Sequence, residues 1–366
     1  MEATRKLQFA LWDGVGGFGD ADGHLADLYD EHIRLAERVE ELGWHAYFTI
    51  EHQNSDVGRI TAPTVFLAAI ARATSRLRIG TMMWQLPFYN PVRLAQEVAM
   101  LDHLSRGRVE FGTGIGVHEH GFIRWGVDYY QRAAISEEVL KIVKMAWTQD
   151  EVTYDGKFFH FDEALPQPHP YQKPHPPIWA AVHSDASVEF AARNNYNVAK
   201  NLDTDEVVAG KFDLYRKIWC ECGHQGTMPR IFLMRSVHVA ETDEKAHEEA
   251  RRYMGALSPR FEGGIVAKTR IGWGSHRRGM GTDSERQDNK SRGETMARAA
   301  TDYDFNVANG ITLVGSPETI IRQLQDGHER MGYDLFCTNH HIAAMPPEMV
   351  RNSIELFGKE VIPAFA

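Results

Sequence analysis

The 366-residue chain has three cysteines, Cys220, Cys222 and Cys337. That is too few for a disulfide framework, and an odd count fits a reducing compartment. Long apolar runs are missing too, and none approaches the roughly 18 residues that a membrane-spanning helix needs. The opening Met1-Glu-Ala-Thr-Arg-Lys6 lacks the apolar core of a secretory signal. Basic charge is scarce: 40 Lys and Arg face 50 Asp and Glu, a formal net charge of -10, which argues against nucleic acid or an anionic membrane surface as partner. The expectation is a cytoplasmic protein with no membrane and no nucleic-acid partner.

What is present is 43% hydrophobic and 25% charged residues, the balance of an ordinary globular chain. The length would allow two domains, yet α/β barrels run this long as one. The 18 histidines and 8 tryptophans are many for such a chain, and raise the question of a metal site or an aromatic pocket.

Short apolar runs alternate with amphipathic helical stretches. Strands are expected at Leu7–Trp12, Ala46–Ile50, Leu77–Met83, Arg108–Gly114, Ile178–Val182, Asn197–Lys200, Ile231–Val239 and Asp334–Thr338. Helices are expected at Leu25–Leu42, Thr64–Ala73, Pro91–Leu104, Ser136–Trp147 and Ser187–Asn194, and near 205–220, 243–256, 317–331 and 347–360. Pro91 suits a first helical turn. Asp155-Gly156 between alternating apolar runs signals a hairpin inserted after the fourth helix. Eight strand–helix units predict a (β/α)8 barrel, with a doubly wound open sheet as competitor. Residues 258–298 are glycine-rich, basic and without periodicity, the pattern of a long functional loop following the seventh strand. The chain is read as a single domain, 1–366, with this segment as a mobile lid.

Barrel enzymes place their chemistry at the C-terminal strand ends. Those positions hold Trp12, Glu51-His52, Met82-Met83-Trp84, Gly112-Thr-Gly-Ile-Gly116 with His118 and His120, and His183-Ser184. A histidine at His52 can exchange protons near neutral pH beside the Glu51 carboxylate, or be an ordinary loop histidine. The glycine run lets a flat ring lie on backbone, or merely allows tight strand packing. It has neither a Walker lysine nor dinucleotide-fingerprint spacing. Ser184 suits an N-cap, leaving backbone N–H groups, with the Ser184 and Ser187 hydroxyls, to hold a phosphate. Asp185 in the first turn argues instead for a plain capped helix. His118-Glu-His120 and Cys220-Glu-Cys-Gly-His224 have no metal spacing of a known kind, so no metal is expected. A Gly-x-Ser-x-Gly elbow is absent, which argues against a serine hydrolase.

Taken together, Phe48-Thr-Ile-Glu-His52, Ile79-Gly-Thr-Met-Met83 with Leu86-Pro87, Pro91 to Arg108 running into Phe111-Gly112, and Val314-Gly-Ser-Pro-Glu318 are specific. Over most of its length the chain resembles the bacterial luciferase-like family of flavin-dependent monooxygenases. The resemblance implies a TIM barrel, generally a homodimer, with a long loop after strand seven. It places a catalytic histidine at His52 and a non-prolyl cis peptide at Met82-Met83 beneath the flavin. It also places flavin-lining residues at Glu51, Gly114 and His118, and the phosphate end at His183, Ser184 and Ser187. Trp12 and Trp84, with Trp179, would line an apolar substrate pocket. Two departures stand out. Ile115 replaces the arginine that holds the phosphate in luciferases, which points either to another cation, such as Arg270, Arg277 or Arg278 from the loop, or to weaker FMN binding. Gly114 replaces their reactive cysteine, which argues against light emission.

The implied activity is that of a two-component monooxygenase. FMN reduced by a separate flavin reductase would react with O2, and one oxygen atom would enter a small apolar organic substrate via a C4a-(hydro)peroxyflavin. The alternatives are an F420-dependent oxidoreductase of the same superfamily, a non-catalytic flavin-binding protein and, remotely, a metal-dependent barrel hydrolase.

Overall fold

The computed structural model describes residues 5–15, 24–51, 59–116, 119–201, 203–254, 292–295, 297–299, 301–342 and 345–366. His52, His118, Arg270, Arg277, Arg278 and most of the expected lid lie outside them. In chain order the first half runs β1 (Gln8–Asp13), α1 (Leu25–Glu41), β2 (Ala46–Thr49), α2 (Pro63–Ala73), β3 (Arg78–Gln85), α3 (Pro91–Ser105), β4 (Val109–Gly114), α4 (Glu119–Arg124) and α5 (Arg132–Thr148). A hairpin of β5 (Val152–Asp155) and β6 (His160–Ala164) follows. Then come β7 (Ile178–Ala181), α6 (Asp185–Arg193), β8 (Asn197–Asn201), α7 (Asp205–Glu221), β9 (Ile231–Val239) and α8 (Asp243–Met254). The described chain ends with β10 (Thr312–Gly315), a helix at Pro317–Met331, β11 (Leu335–Asn339) and a helix at Pro347–Leu356.

Strands β1, β2, β3, β4, β7, β8, β9 and β11 pair in parallel in that order, and β11 returns to β1 with Gln8 beside Leu335. Closure excludes the open sheet and establishes the expected eight-stranded barrel. Parallel strands are buried on both faces, which is why they read as near-continuous apolar runs rather than alternating ones. One strand went unforeseen. β10 pairs only with the far end of β9, Thr312 beside Ser236 through Gly315 beside Val239.

Local chemistry sets the helix ends. Asn90 caps α3 by accepting from the Arg93 N–H, and Pro91 occupies the first turn where its missing donor is harmless. The helix ends on Arg106 in the left-handed region. Beyond it Arg108 donates to the carbonyls of Ala71, Leu77 and Ser105 at 2.6–2.7 Å. Asp102, fully buried, accepts from the backbone and side-chain amides of Gln172 at 2.7 and 2.8 Å. The conspicuous Asp102-to-Arg108 stretch is therefore a brace tying α2, α3 and the connector before β7 to the lower barrel.

Inside the barrel, Ala10, Ala46, Phe48, Trp179, Ala199, Phe232, Met234, Leu335 and Cys337 form one apolar cluster. Small residues make room for three large rings, with Phe48 and Trp179 each packing edge-on against Phe232. Beneath, Glu110 accepts from the Trp179 indole at 2.7 Å and pairs with Arg78. Trp12, Met82 and Met83 lie on this cluster and are only partly buried. Among the described residues the floor is thus apolar and closed, and the open end is the C-terminal one. Among the described residues no helix is long and apolar enough to cross a membrane.

Candidate active site

The β3–β4 wall is built to lie flat. The Met82–Met83 peptide is cis, at the position the resemblance assigns it. Strand pairing shifts register between Thr81 and Trp84, so both methionines pack on the interior cluster. Opposite them, a Cβ on Gly112 would collide with the Thr81 carbonyl oxygen and come within 2.8 and 2.9 Å of the Met82 and Met83 sulfurs. One on Gly114 would sit 3.1 Å from the Met83 Cβ. Glycine is needed here for close approach rather than for an unusual dihedral. The result is a thioether-faced wall above an aromatic floor, suited to a planar ring system.

The same register shift separates the two tryptophans. Strict alternation would turn Trp84 inward beside Trp12. Instead Trp84 is fully buried and packs tilted against Phe111, ring centroids 5.0 Å apart, within the core between barrel and helices. Trp12 remains above the floor. Trp84 therefore does not share a pocket with it, and Trp179 is part of the floor itself.

Glu51 is buried, its carboxylate accepting from the Gln85 N–H at 2.8 Å and the Tyr89 hydroxyl at 2.9 Å. Burial, reinforced by that carboxylate, pushes the Tyr89 pKa upward. Glu51 thus fixes the end of β2 against the connection leaving β3, immediately before His52.

At the head of α6, Ser184 caps as expected, accepting from the Ser187 N–H. Ser187 Oγ accepts from the His183 and Ser184 N–H groups at 2.9 and 3.1 Å and donates to the Ser184 carbonyl at 2.7 Å. Both serine hydroxyls are occupied in the cap. Asp185 does not face the same way, because its carboxylate pairs with Lys211 Nζ at 2.6 Å on the exposed side. The His183 Nδ1 atom is buried without a hydrogen-bond partner. Burial, with Arg292, Lys200 and Lys211 nearby, holds its pKa well below the usual histidine value. A neutral imidazole, an unused ring nitrogen and a positive helix end fit the anionic tail of a flavin mononucleotide, as the flat wall fits its ring.

Two groupings escaped the sequence reading. Asp13, at the end of β1, is fully buried and accepts from His32 Nδ1 at 2.6 Å, the Tyr47 hydroxyl at 2.5 Å and the Val15 N–H at 2.9 Å. Nineteen positions separate Asp13 from His32, so no local spacing announces the pair. The other is Arg292, from the aperiodic segment, whose charge opposes protonation of His183 and Lys200. Among the described residues no group of three or more His, Cys, Asp and Glu is placed to hold a metal.

Comparison with known proteins places this geometry. Residues 11–335 match the family described as Luciferase-like monooxygenase. The oxygenase component of a flavin-dependent trigonelline monooxygenase from Acinetobacter baylyi is 28% identical over 355 residues, covering 93% of this chain and 90% of that one. The crystal structure of monooxygenase RslO1 from Streptomyces bottropensis superposes with a TM-score of 0.77 at 26% identity, covering 98% of this chain and 100% of the other. The oxygenating constituent of 3,6-diketocamphane monooxygenase from Pseudomonas putida, solved with FMN, shares the fold at 20% identity and a TM-score of 0.78, covering 98% of each chain. With a match spanning nearly the whole barrel and a wall shaped for a planar ring, the chain belongs to the luciferase-like monooxygenase family and is a flavin-dependent oxidoreductase.

Proposed function

We propose that this protein is the oxygenase half of a two-component system, using FMN reduced by a separate flavin reductase to insert one atom of O2 into a small apolar organic substrate. The observation that carries the reading is the Cβ-free β3–β4 wall, faced by Met82 and Met83 above a sealed aromatic floor. The A. baylyi relative, named as an oxygenase component, supports the division of labour. When bound, reduced flavin supplies the two electrons. One oxygen atom enters the substrate and the other leaves as water with two protons.

This chain's residues have three tasks. Gly112, Gly114, Met82 and Met83 seat the ring, with Glu51 positioning the adjoining loop and His118 completing the lining. His183, Ser184 and Ser187 shape the phosphate end. His52 moves a proton at the reacting oxygen, and Trp12 faces the apolar substrate. A dry floor matters because water admitted to such a site diverts the reaction.

Anaerobic titration with reduced FMN, then addition of 18O2 with candidate substrates, tests this reading. The expected outcome is saturable binding followed by one labelled oxygen per product, with His52→Ala retaining binding and losing transfer. Binding of F420 in place of FMN would move the protein to the hydride-transfer alternative. Stable flavin binding with no substrate-dependent oxygen uptake would make it a flavin-binding protein.

The homodimer expected of the family has a matching surface. Val65 on α2 is 74% exposed, and Met100 and Leu104 on α3 are 55% and 41% exposed. With Phe88 and Trp125 these residues line one apolar groove between α2 and α3, the kind of exposed patch that marks an interface. The double substitution Val65→Asp/Met100→Asp is expected to convert the dimer to monomer by light scattering at micromolar concentration. An unchanged mass would remove this face from the interface.

A further inference from the structure

Among the described residues the chamber lining offers an oxidant no reactive thiol. Cys337 sits inside the apolar cluster of the floor, fully buried, and burial raises its pKa well above the usual thiol value, so it presents no thiolate. Cys220 and Cys222 lie at the far end of α7. What faces the open end instead is a pair of thioethers, Met82 and Met83, packed on the floor and only partly buried. Both sulfurs come within 2.9 Å of one point, the place where a Cβ on Gly112 would stand. A thioether has no proton to lose, so its sulfur is a ready nucleophile at any working pH.

Other methionines lack one of the two requirements, access or position. Met234 belongs to the floor but is 7% exposed, and Met331 and Met345 are 3% and 7% exposed. Met100 is 55% exposed, yet it stands on α3, outside the barrel. Met82 and Met83 combine an open sulfur with a place in the chamber.

We infer that Met82 and Met83 are the oxidation site of the chamber: hydrogen peroxide formed beside them converts a thioether to its sulfoxide, and the modified wall no longer seats a planar ring. The inference goes beyond the flavin reading and rests on it for the source of peroxide. Without a substrate to accept oxygen, O2 takes the two electrons of reduced flavin and becomes hydrogen peroxide. A methionine sulfur then attacks one peroxide oxygen and is oxidised by two electrons as the O–O bond breaks. The proton on the transferred oxygen passes to the departing hydroxide, which leaves as water. The new oxygen has one direction open to it. Towards β4 not even a methyl on Gly112 fits, and beneath lies the apolar floor. It therefore points into the chamber, a polar group on an apolar wall.

The test incubates wild type with reduced FMN in air, without organic substrate and with catalase to destroy free peroxide, then maps the methionines by peptide mass spectrometry. The expected result is one added oxygen on Met82 or Met83 with Met100 unmodified. Affinity for reduced FMN should fall by about ten-fold or more, and methionine sulfoxide reductases A and B should restore it. Met82→Leu/Met83→Leu, a volume-conserving change that keeps the wall apolar, should hold its own starting affinity through the same treatment. The single leucine variants serve if the double one fails to fold. Met82 and Met83 left intact, or no more oxidised than Met100, overturns the inference, as does an equal loss of affinity in the leucine variants. If wild type binds no reduced FMN, the flavin reading falls instead, and added hydrogen peroxide decides the site. Sulfoxide at Met82 or Met83 ahead of Met234, Met331 and Met345 then supports the inference, and its absence there overturns it.

Discussion

Gly112→Ala is expected to lower reduced-FMN affinity by about a hundred-fold, roughly 2.7 kcal/mol, and to destabilise the fold by about 3 kcal/mol. The added methyl would meet the Thr81 carbonyl oxygen below any tolerable contact and crowd both methionine sulfurs at 2.8 and 2.9 Å. A thioether can swing aside, but a carbonyl held between paired strands cannot. The β3–β4 spacing must therefore open, and the flat wall with it. Gly114→Ala supplies the scale, because its methyl meets only the Met83 Cβ at 3.1 Å and Cγ at 3.3 Å. A few tenths of an ångström relieve that contact, so its effect should stay within a few-fold in affinity and under about 1 kcal/mol. Urea denaturation and flavin titration of both variants check the ordering. Equal effects at the two glycines would mean the wall is not what seats the ring.

The second large effect is expected at Asp13. Burial alone would raise its pKa, but the charge and hydrogen bond of His32, with His341 and the Tyr47 hydroxyl, hold it below the usual carboxylate range. Asp13→Ala strands three donors in a region where Asp13 is fully buried and His32 is 6% exposed. The loss should be about 3–5 kcal/mol, the usual result of breaking a buried charge pair from one side. The pH dependence carries a sign. A carboxylate whose folded pKa lies below its unfolded value near 3.8 contributes its full stability above about pH 4. That contribution is lost as pH falls further through the folded value. Wild type should therefore show a steeper decline in unfolding free energy below pH 4 than Asp13→Ala. Parallel curves in that range would remove Asp13 as the source. Tyr47→Phe, which deletes one donor, should cost about 1 kcal/mol.

The barrel was legible because closed parallel sheets impose apolar runs of fixed length between amphipathic helices, and long helical stretches carried ordinary start residues such as Asn90-Pro91 and Ser316-Pro317. β10 was not. Its four residues follow a short helix and pair only with an extension of β9, a tertiary fact with no local signature. At the candidate site, Glu51, Met82, Met83, Gly112 and His183 could be singled out because they stand at strand ends, where barrel folds send their chemistry. Trp84 misled for a definable reason. A period of two holds only while the ladder keeps register, and the shift between Thr81 and Trp84 reverses every facing beyond it. Arg292 was unreadable because nothing periodic surrounds it. The Asp13 network was hidden by distance in sequence, as buried pairs between a strand and a helix usually are.

The sealed floor has a consequence for traffic. With Phe48, Trp179 and Phe232 each 2% exposed or less, the described floor is shut and the doorway is the C-terminal end of the barrel. Anything seated against the methionine wall enters and departs through it, and an organic molecule resting above it blocks the exit. Under the proposed reading, occupancy becomes a stack: the deeper guest arrives first and leaves last. Steady-state rates would then be governed by how quickly the upper guest clears the doorway, and an excess of that compound would slow turnover by trapping spent cofactor beneath it.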